Sequence, residues 1–192
     1  MAHEVETAMF LGQQAWHGVG KVVDNPPTIE EALELSGLNW GVDLTPMKLD
    51  DGSDAQVPDK FAVVRYSDKK VLGVVGNSYT PLQNADALGW FDRWVESGEC
   101  VIEACGSLRG GTRIWVLARI KDATGDVVKG DQVNAYLLLY TGHDGTLQVG
   151  ILFTPIRVVC ANTLSMATDN FKSGSILRVP HRKNILNTLD AV

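Results

Sequence analysis

The segment Thr112-Arg113-Ile114-Trp115-Val116-Leu117-Ala118-Arg119-Ile120-Lys121 alternates without a break. Ile114, Val116, Ala118 and Ile120 share one face of an extended chain, and Arg113, Trp115, Leu117, Arg119 and Lys121 share the other. Such a strict period of two marks a β-strand, because successive side chains leave opposite sides of the pleat. Just upstream, the run Cys100–Leu108 is separated from it by Arg109-Gly110-Gly111. The two segments therefore read as an antiparallel hairpin.

The same pattern extends in both directions. Val133–Thr141 and Thr146–Phe153 pair across His143-Asp144-Gly145, a strong turn signal, and Phe61–Tyr66 pairs with Val71–Val75 across Ser67-Asp68-Lys69-Lys70. Asn39–Leu49 alternates, with Trp40, Val42 and Leu44 on one face. Helices lie between these strands. Thr28 and Glu31 have capping-box spacing ahead of Ala32, Leu33 and Leu35, and Gly37 stops that helix. A second helix, capped by Asn84, carries Leu88, Phe91, Trp94 and Val95 at helical spacing and ends at Gly98. Leu147–Phe153 then runs straight into Thr154-Pro155. There Thr154 reads as an N-cap and Pro155 as the first residue of a helix reaching Ala167. An extended piece, Ile176–Val179, leads to a C-terminal helical turn.

Hairpins with inserted helices and no βα rhythm predict an α+β fold: an antiparallel sheet of several hairpins with two or three packed helices. Residues 1–192 are expected to form a single domain with a short basic C-terminal segment at 169–192. The abrupt end at Val192 fits either a compact phage-type protein or a trimmed longer one.

Composition narrows the function. At 192 residues and 45% hydrophobic content the chain can bury a core without staples. No apolar run approaches a membrane span, and Met1-Ala2-His3-Glu4-Val5-Glu6 lacks the basic and apolar regions of a signal peptide. A cytoplasmic location, with no membrane partner, is the expectation. Cys100, Cys105 and Cys160 show no paired spacing, so they read as buried thiols and not as disulfides or a zinc site. No metal or cofactor is expected. Asp50-Asp51-Gly52-Ser53-Asp54 is acidic but lacks the ligand order of a calcium loop.

An enzyme would need a nucleophile, a base and an orienting group. Of the four histidines, His17 is the one worth weighing, since Gly18 and Gly20 could admit a ligand close to the backbone. The competing reading has Trp16-His17-Gly18 anchoring the N-terminal arm by burying the indole. No hydrolase, zinc-protease or phosphate-loop pattern is present, so a non-enzymatic protein is expected.

Nucleic-acid contact has better support. A strand face carrying Trp115 among Arg113, Arg119 and Lys121 could stack bases and meet phosphates, with Tyr136 and Tyr140 adding ring area. The alternative is a face packed on a helix or on a second copy of the chain. Arg157, placed at a helix start, opposes the helix dipole and calls for a carboxylate partner or an external anion. The net charge of −6 argues against indiscriminate polyanion binding, but Lys172, Arg178, Arg182 and Lys183 make residues 169–192 locally basic.

Four segments carry a family resemblance: Ala15-Trp16-His17-Gly18, Gly37-Leu38-Asn39-Trp40, Tyr79-Thr80-Pro81-Leu82-Gln83, and Thr154-Pro155-Ile156-Arg157-Val158-Val159-Cys160-Ala161-Asn162-Thr163-Leu164. Together they make the chain resemble the uncharacterised phage/plasmid-like protein family of bacteria and mobile elements, over residues 15–190. That resemblance implies a context and no catalytic residues. The element order is more faintly similar to that of single-strand annealing proteins, which implies a ring-forming DNA-binding protein. The expectation is therefore a non-enzymatic protein that binds single-stranded DNA in recombination or replication, as a homo-oligomer. Arg113, Trp115, Arg119 and Lys121 would form its platform, with Arg157, Arg178, Arg182 and Lys183 as further cations. The alternative is a protein-interaction module without a nucleic-acid role.

Overall fold

A computed structural model describes residues 4–128, 131–169 and 176–191. In chain order its elements are β1 (Val5–Leu11), β2 (Lys21–Val23), α1 (Ile29–Leu35), β3 (Val42–Lys48), β4 (Gln56–Arg65), β5 (Val71–Gly76), α2 (Asn84–Gly89) and α3 (Asp92–Glu96). There follow β6 (Cys100–Leu108), β7 (Arg113–Val128), β8 (Asp131–Gly142), β9 (Val149–Thr154), α4 (Ala161–Asp169), β10 (Leu177–Val179) and α5 (Ile185–Asp190). Seven strands form one sheet in the order β10-β9-β8-β7-β6-β1-β2, and β3-β4-β5 form a second. Pairing is antiparallel except between β1 and β2, so the fold is α+β.

The predicted hairpins β4–β5, β6–β7 and β8–β9 all form. In β7 the alternation holds. Ile114, Val116 and Ala118 face a core built with Ala32 of α1, Leu88 of α2 and Ile185 and Leu189 of α5. Trp115 and Leu117 face the opposite side. There they meet Phe10 of β1, Leu138 and Tyr140 of β8, and Val158, Val159, Cys160 and Ala167 from the segment after β9. Both faces of the central strands are thus covered, which places the main apolar burial in two layers around one sheet.

Local chemistry explains most of the elements. Thr28 accepts from the Glu31 N–H and Glu31 reaches back to the Thr28 N–H, completing the capping box of α1. The second helix breaks in two, and Asn84 does not cap it. Instead Asn84 is buried and donates to the carbonyls of Leu38 and Trp40. The junction after β9 also departs from expectation. Thr154 Oγ1 accepts from the Ile156 N–H, a local turn, and α4 begins only at Ala161. Thr163 supplies the helix start by accepting from the Val159 and Cys160 N–H groups at 2.9 and 3.0 Å. Residues 155–160 are spent on laying Val158, Val159 and Cys160 over the sheet.

The small sheet is tied to one end of the large one. Arg65 donates to Glu6 of β1 at 3.1 Å and to Asp68, and its guanidinium lies 4.9 Å from the Trp40 ring centroid. Lys70 Nζ donates to the Gly110 carbonyl, and the Tyr79 hydroxyl to the Gly142 carbonyl. Among the described residues no helix is long and apolar enough to cross a membrane. The three cysteines are buried thiols, and burial pushes Cys105 up to about 12.

Candidate anion-binding site

The predicted platform on β7 does not exist as an open face. Trp115 is 0% exposed, the largest of the fully buried side chains, because residues 155–169 lie across that face of the sheet. Register sets Tyr140 opposite Trp115 and Tyr136 opposite Arg119, and both tyrosines are buried as well. Their packing uses two glycines. Trp115 lies against Gly106 and Tyr140 across Gly150, where any Cβ would collide with the ring.

The cations of that face are divided. Arg119 and Arg157 converge on one carboxylate, Glu103, with Nε–O distances of 3.1 and 2.9 Å. Arg157 also donates to the Gln13 carbonyl at 3.0 Å. Its partner is thus internal, and it sits in the loop before α4, not at a helix start. Glu103 reaches this position through a β-bulge: Ile102 pairs with Ala118 and Ala104 with Leu117, leaving Glu103 as the extra residue. Glu103→Gln should leave two partly buried guanidinium groups without their counter-charge and cost about 1–3 kcal/mol of stability, measured by urea unfolding. Lys121 is exposed midway along β7, eight residues from Arg113.

Two predicted cations do meet. Arg113 and Arg178 line a cavity of about 360 Å³ together with Arg109, which sequence reasoning missed. Ligand pockets begin at about 300 Å³, so this volume suffices for a small group. Arg109 is placed by a tight turn in which Arg109, Gly110 and Gly111 all adopt positive φ, and this turn aims it past the end of β7. Among the described residues, three guanidinium groups share the lining with one carboxylate, Asp169, and with Leu108, Leu147 and Leu164. Arg113, 13% exposed, is held by Asp144 at 2.6 Å and donates to Thr146 Oγ1 at 2.6 Å and to the Thr112 carbonyl. Arg109 pairs with Glu4 at 2.7 Å, both side chains about half exposed, a contact that a stronger anion can displace. Burial raises the Tyr140 phenol pKa, while the charge of Arg178 and its hydrogen bond to the phenol oppose that rise. Arg182 lines a different cavity, Lys183 is exposed beside it, and Lys172 lies outside the described residues.

A buried polar cluster sits behind the β8–β9 turn. His143 Nε2 bonds Asn84 Oδ1 at 2.9 Å, and Nδ1 of His143 meets no partner among the described residues. His181 bonds Thr141 Oγ1 at 3.2 Å and the Thr80 carbonyl at 3.1 Å, and it stacks on Tyr79 at 4.8 Å. Burial lowers both imidazoles, His143 to about 4. The turn signal His143-Asp144-Gly145 gave no hint of this burial. At the other end of the chain, His17 donates to the Val159 carbonyl at 3.0 Å and accepts from the Val19 N–H. That loop is anchored, but by the imidazole, while Trp16 is 68% exposed. No group of three or more metal-ligating side chains occurs among the described residues.

Fold and site define a two-sheet α+β protein with an arginine-lined pocket at one end of the larger sheet. The chain belongs to the DUF932 family, a domain of unknown function that matches residues 71–192. No curated protein and no solved structure matches it. All residues lining the arginine pocket fall inside the matched segment, whereas Ala15–Gly18 and Gly37–Trp40 fall outside it.

Proposed function

We propose that this protein is a non-enzymatic binding module that takes the phosphate backbone of single-stranded DNA into the arginine pocket. One observation carries the reading: Arg109, Arg113 and Arg178 converge on one cavity floored by leucines. Guanidinium forks suit phosphate oxygens, and the apolar floor suits the sugar and base of the same nucleotide. On a chain of net charge −6 such attraction is confined to a site. The likeness of Thr154–Leu164 to phage/plasmid-like proteins supports a role in recombination or replication. Stacking on Trp115 is no part of this proposal.

Titration of a fluorescent oligothymidylate should show binding at low salt that weakens steeply as salt rises. Arg178→Ala should weaken it about tenfold, and absence of binding at low salt overturns the reading. A second reading, a protein-interaction module, draws on Phe153 and Leu177. Both are exposed, and they lie on one face of the β9–β10 edge. It predicts that Phe153→Ser lowers the solution mass in light scattering and leaves oligonucleotide binding unaffected.

A further inference from the structure

We infer that the arginine pocket is one end of a longer groove, and that the strand it binds is gripped again in a second pocket beyond the β8–β9 turn. This inference rests on the binding reading above. The second cavity holds about 390 Å³ and is predominantly polar, with Arg182, Ser78, Thr146 and Gln148 on its walls. Leu147 lines both cavities, so only the thickness of that turn separates them. Thr146 joins them chemically, because its hydroxyl accepts from Arg113 of the first pocket while the residue lines the second.

The chain itself sets the spacing of the cations. β10 and the residues after it run past both openings, with Arg178 in the first pocket and Arg182 in the second. Four residues span at most roughly 14 Å. A stacked strand rising about 3.4 Å per nucleotide covers that distance in about four nucleotides. One wall of the second pocket is built to stay in place. Tyr79 is fixed by its bond to the Gly142 carbonyl and its stack on His181, and His181 is fixed by Thr141 and Thr80. Tyr79 also offers a half-buried ring, the aromatic contact that Trp115 cannot supply. Both cavities lie wholly within the matched family segment.

The test is length dependence. Labelled oligothymidylates of two, four and eight nucleotides are titrated against the wild type, Arg178→Ala and Arg182→Ala. Affinity should rise at least tenfold from two to eight nucleotides. Arg182→Ala should abolish that gain while leaving the dinucleotide unchanged, and Arg178→Ala should weaken every length. Arg182 is exposed, and an unchanged circular dichroism spectrum verifies that its variant is folded. If the dinucleotide binds as tightly as the octanucleotide, the second pocket is excluded and the single-pocket reading stands. The second pocket is likewise excluded if Arg182→Ala leaves the octanucleotide untouched while Arg178→Ala weakens it. If no length binds at low salt, the reading on which the groove rests fails with it.

Discussion

Replacing Trp115 with alanine is expected to lower folding stability by about 3–5 kcal/mol, the range for deleting a fully buried aromatic side chain. The indole fills the layer between β7 and the segment after β9, touching Gly106 where no side chain could take its place. Its removal leaves a hole bounded by the sheet backbone, which cannot collapse inward. The loss should appear as a lower urea midpoint with an unchanged slope. Trp115→Phe should cost much less, since it keeps most of the ring and removes an N–H that meets no acceptor among the described residues. An alanine variant as stable as the wild type but impaired in oligonucleotide binding would reverse this assignment and restore the stacking role.

The second large effect is acid sensitivity between pH 6.5 and 4. His143 is 0% exposed and kept neutral chiefly by burial, with a smaller push from His181 and Arg113 against a pull from Asp144. Asn84 and the Trp40 ring close the remaining sides and carry no charge. Its folded pKa of about 4 lies below the ordinary value of 6.5. The unfolded chain therefore takes up the proton first as pH falls. The stabilisation is complete above pH 6.5 and is lost progressively down to about pH 4, about 3 kcal/mol by linkage. His181, lowered mainly by burial, loses stability in the same direction. The carboxylates act later. Asp68 is held down to about 2 by its hydrogen bond from Arg65. Asp144, despite burial, is kept low by bonds from Arg113 and Thr146. Urea midpoints at pH 7.5, 6, 5 and 4 check the window, and His143→Gln should flatten the slope across it. A wild-type midpoint that does not change from pH 7.5 to 4 would refute the buried neutral imidazole.

Alternation on β7 and the Thr28–Glu31 capping box were legible because each rests on neighbours in sequence. What covers a strand face is not a local property. A tryptophan among arginines alternates identically whether solvent or a second layer lies above it, and here the layer comes from residues 155–169. β1 escaped notice for the same reason in reverse. Val5, Ala8, Met9, Phe10 and Leu11 are all buried, so the strand shows no alternation to read. Thr154-Pro155 carries a helix-start signal that a local turn satisfies equally well, and only the packing of Val158 and Val159 decides between them. The pocket was half readable. Arg113 and Arg178 stood out as cations, but their meeting depends on β9 pairing with both β8 and β10. Arg109 was hidden in a turn read only as a connector.

The bulge at Glu103 also guards the alignment of the sheet. Before it Cys100 and Ile102 point to the helical layer; after it that direction belongs to Cys105, while Ala104 points the other way. The strand therefore changes phase once along its length, whereas the facing part of β7, residues 113–120, keeps a single phase. Were β6 to pair with β7 without the bulge, one half would present its correct side chains to each layer and the other half would present them reversed. No bulge-free pairing satisfies both halves together. A glutamate left out of the strand ladder, but paired with two arginines, thus works as a phase adjuster that lets one hairpin serve both layers along its length.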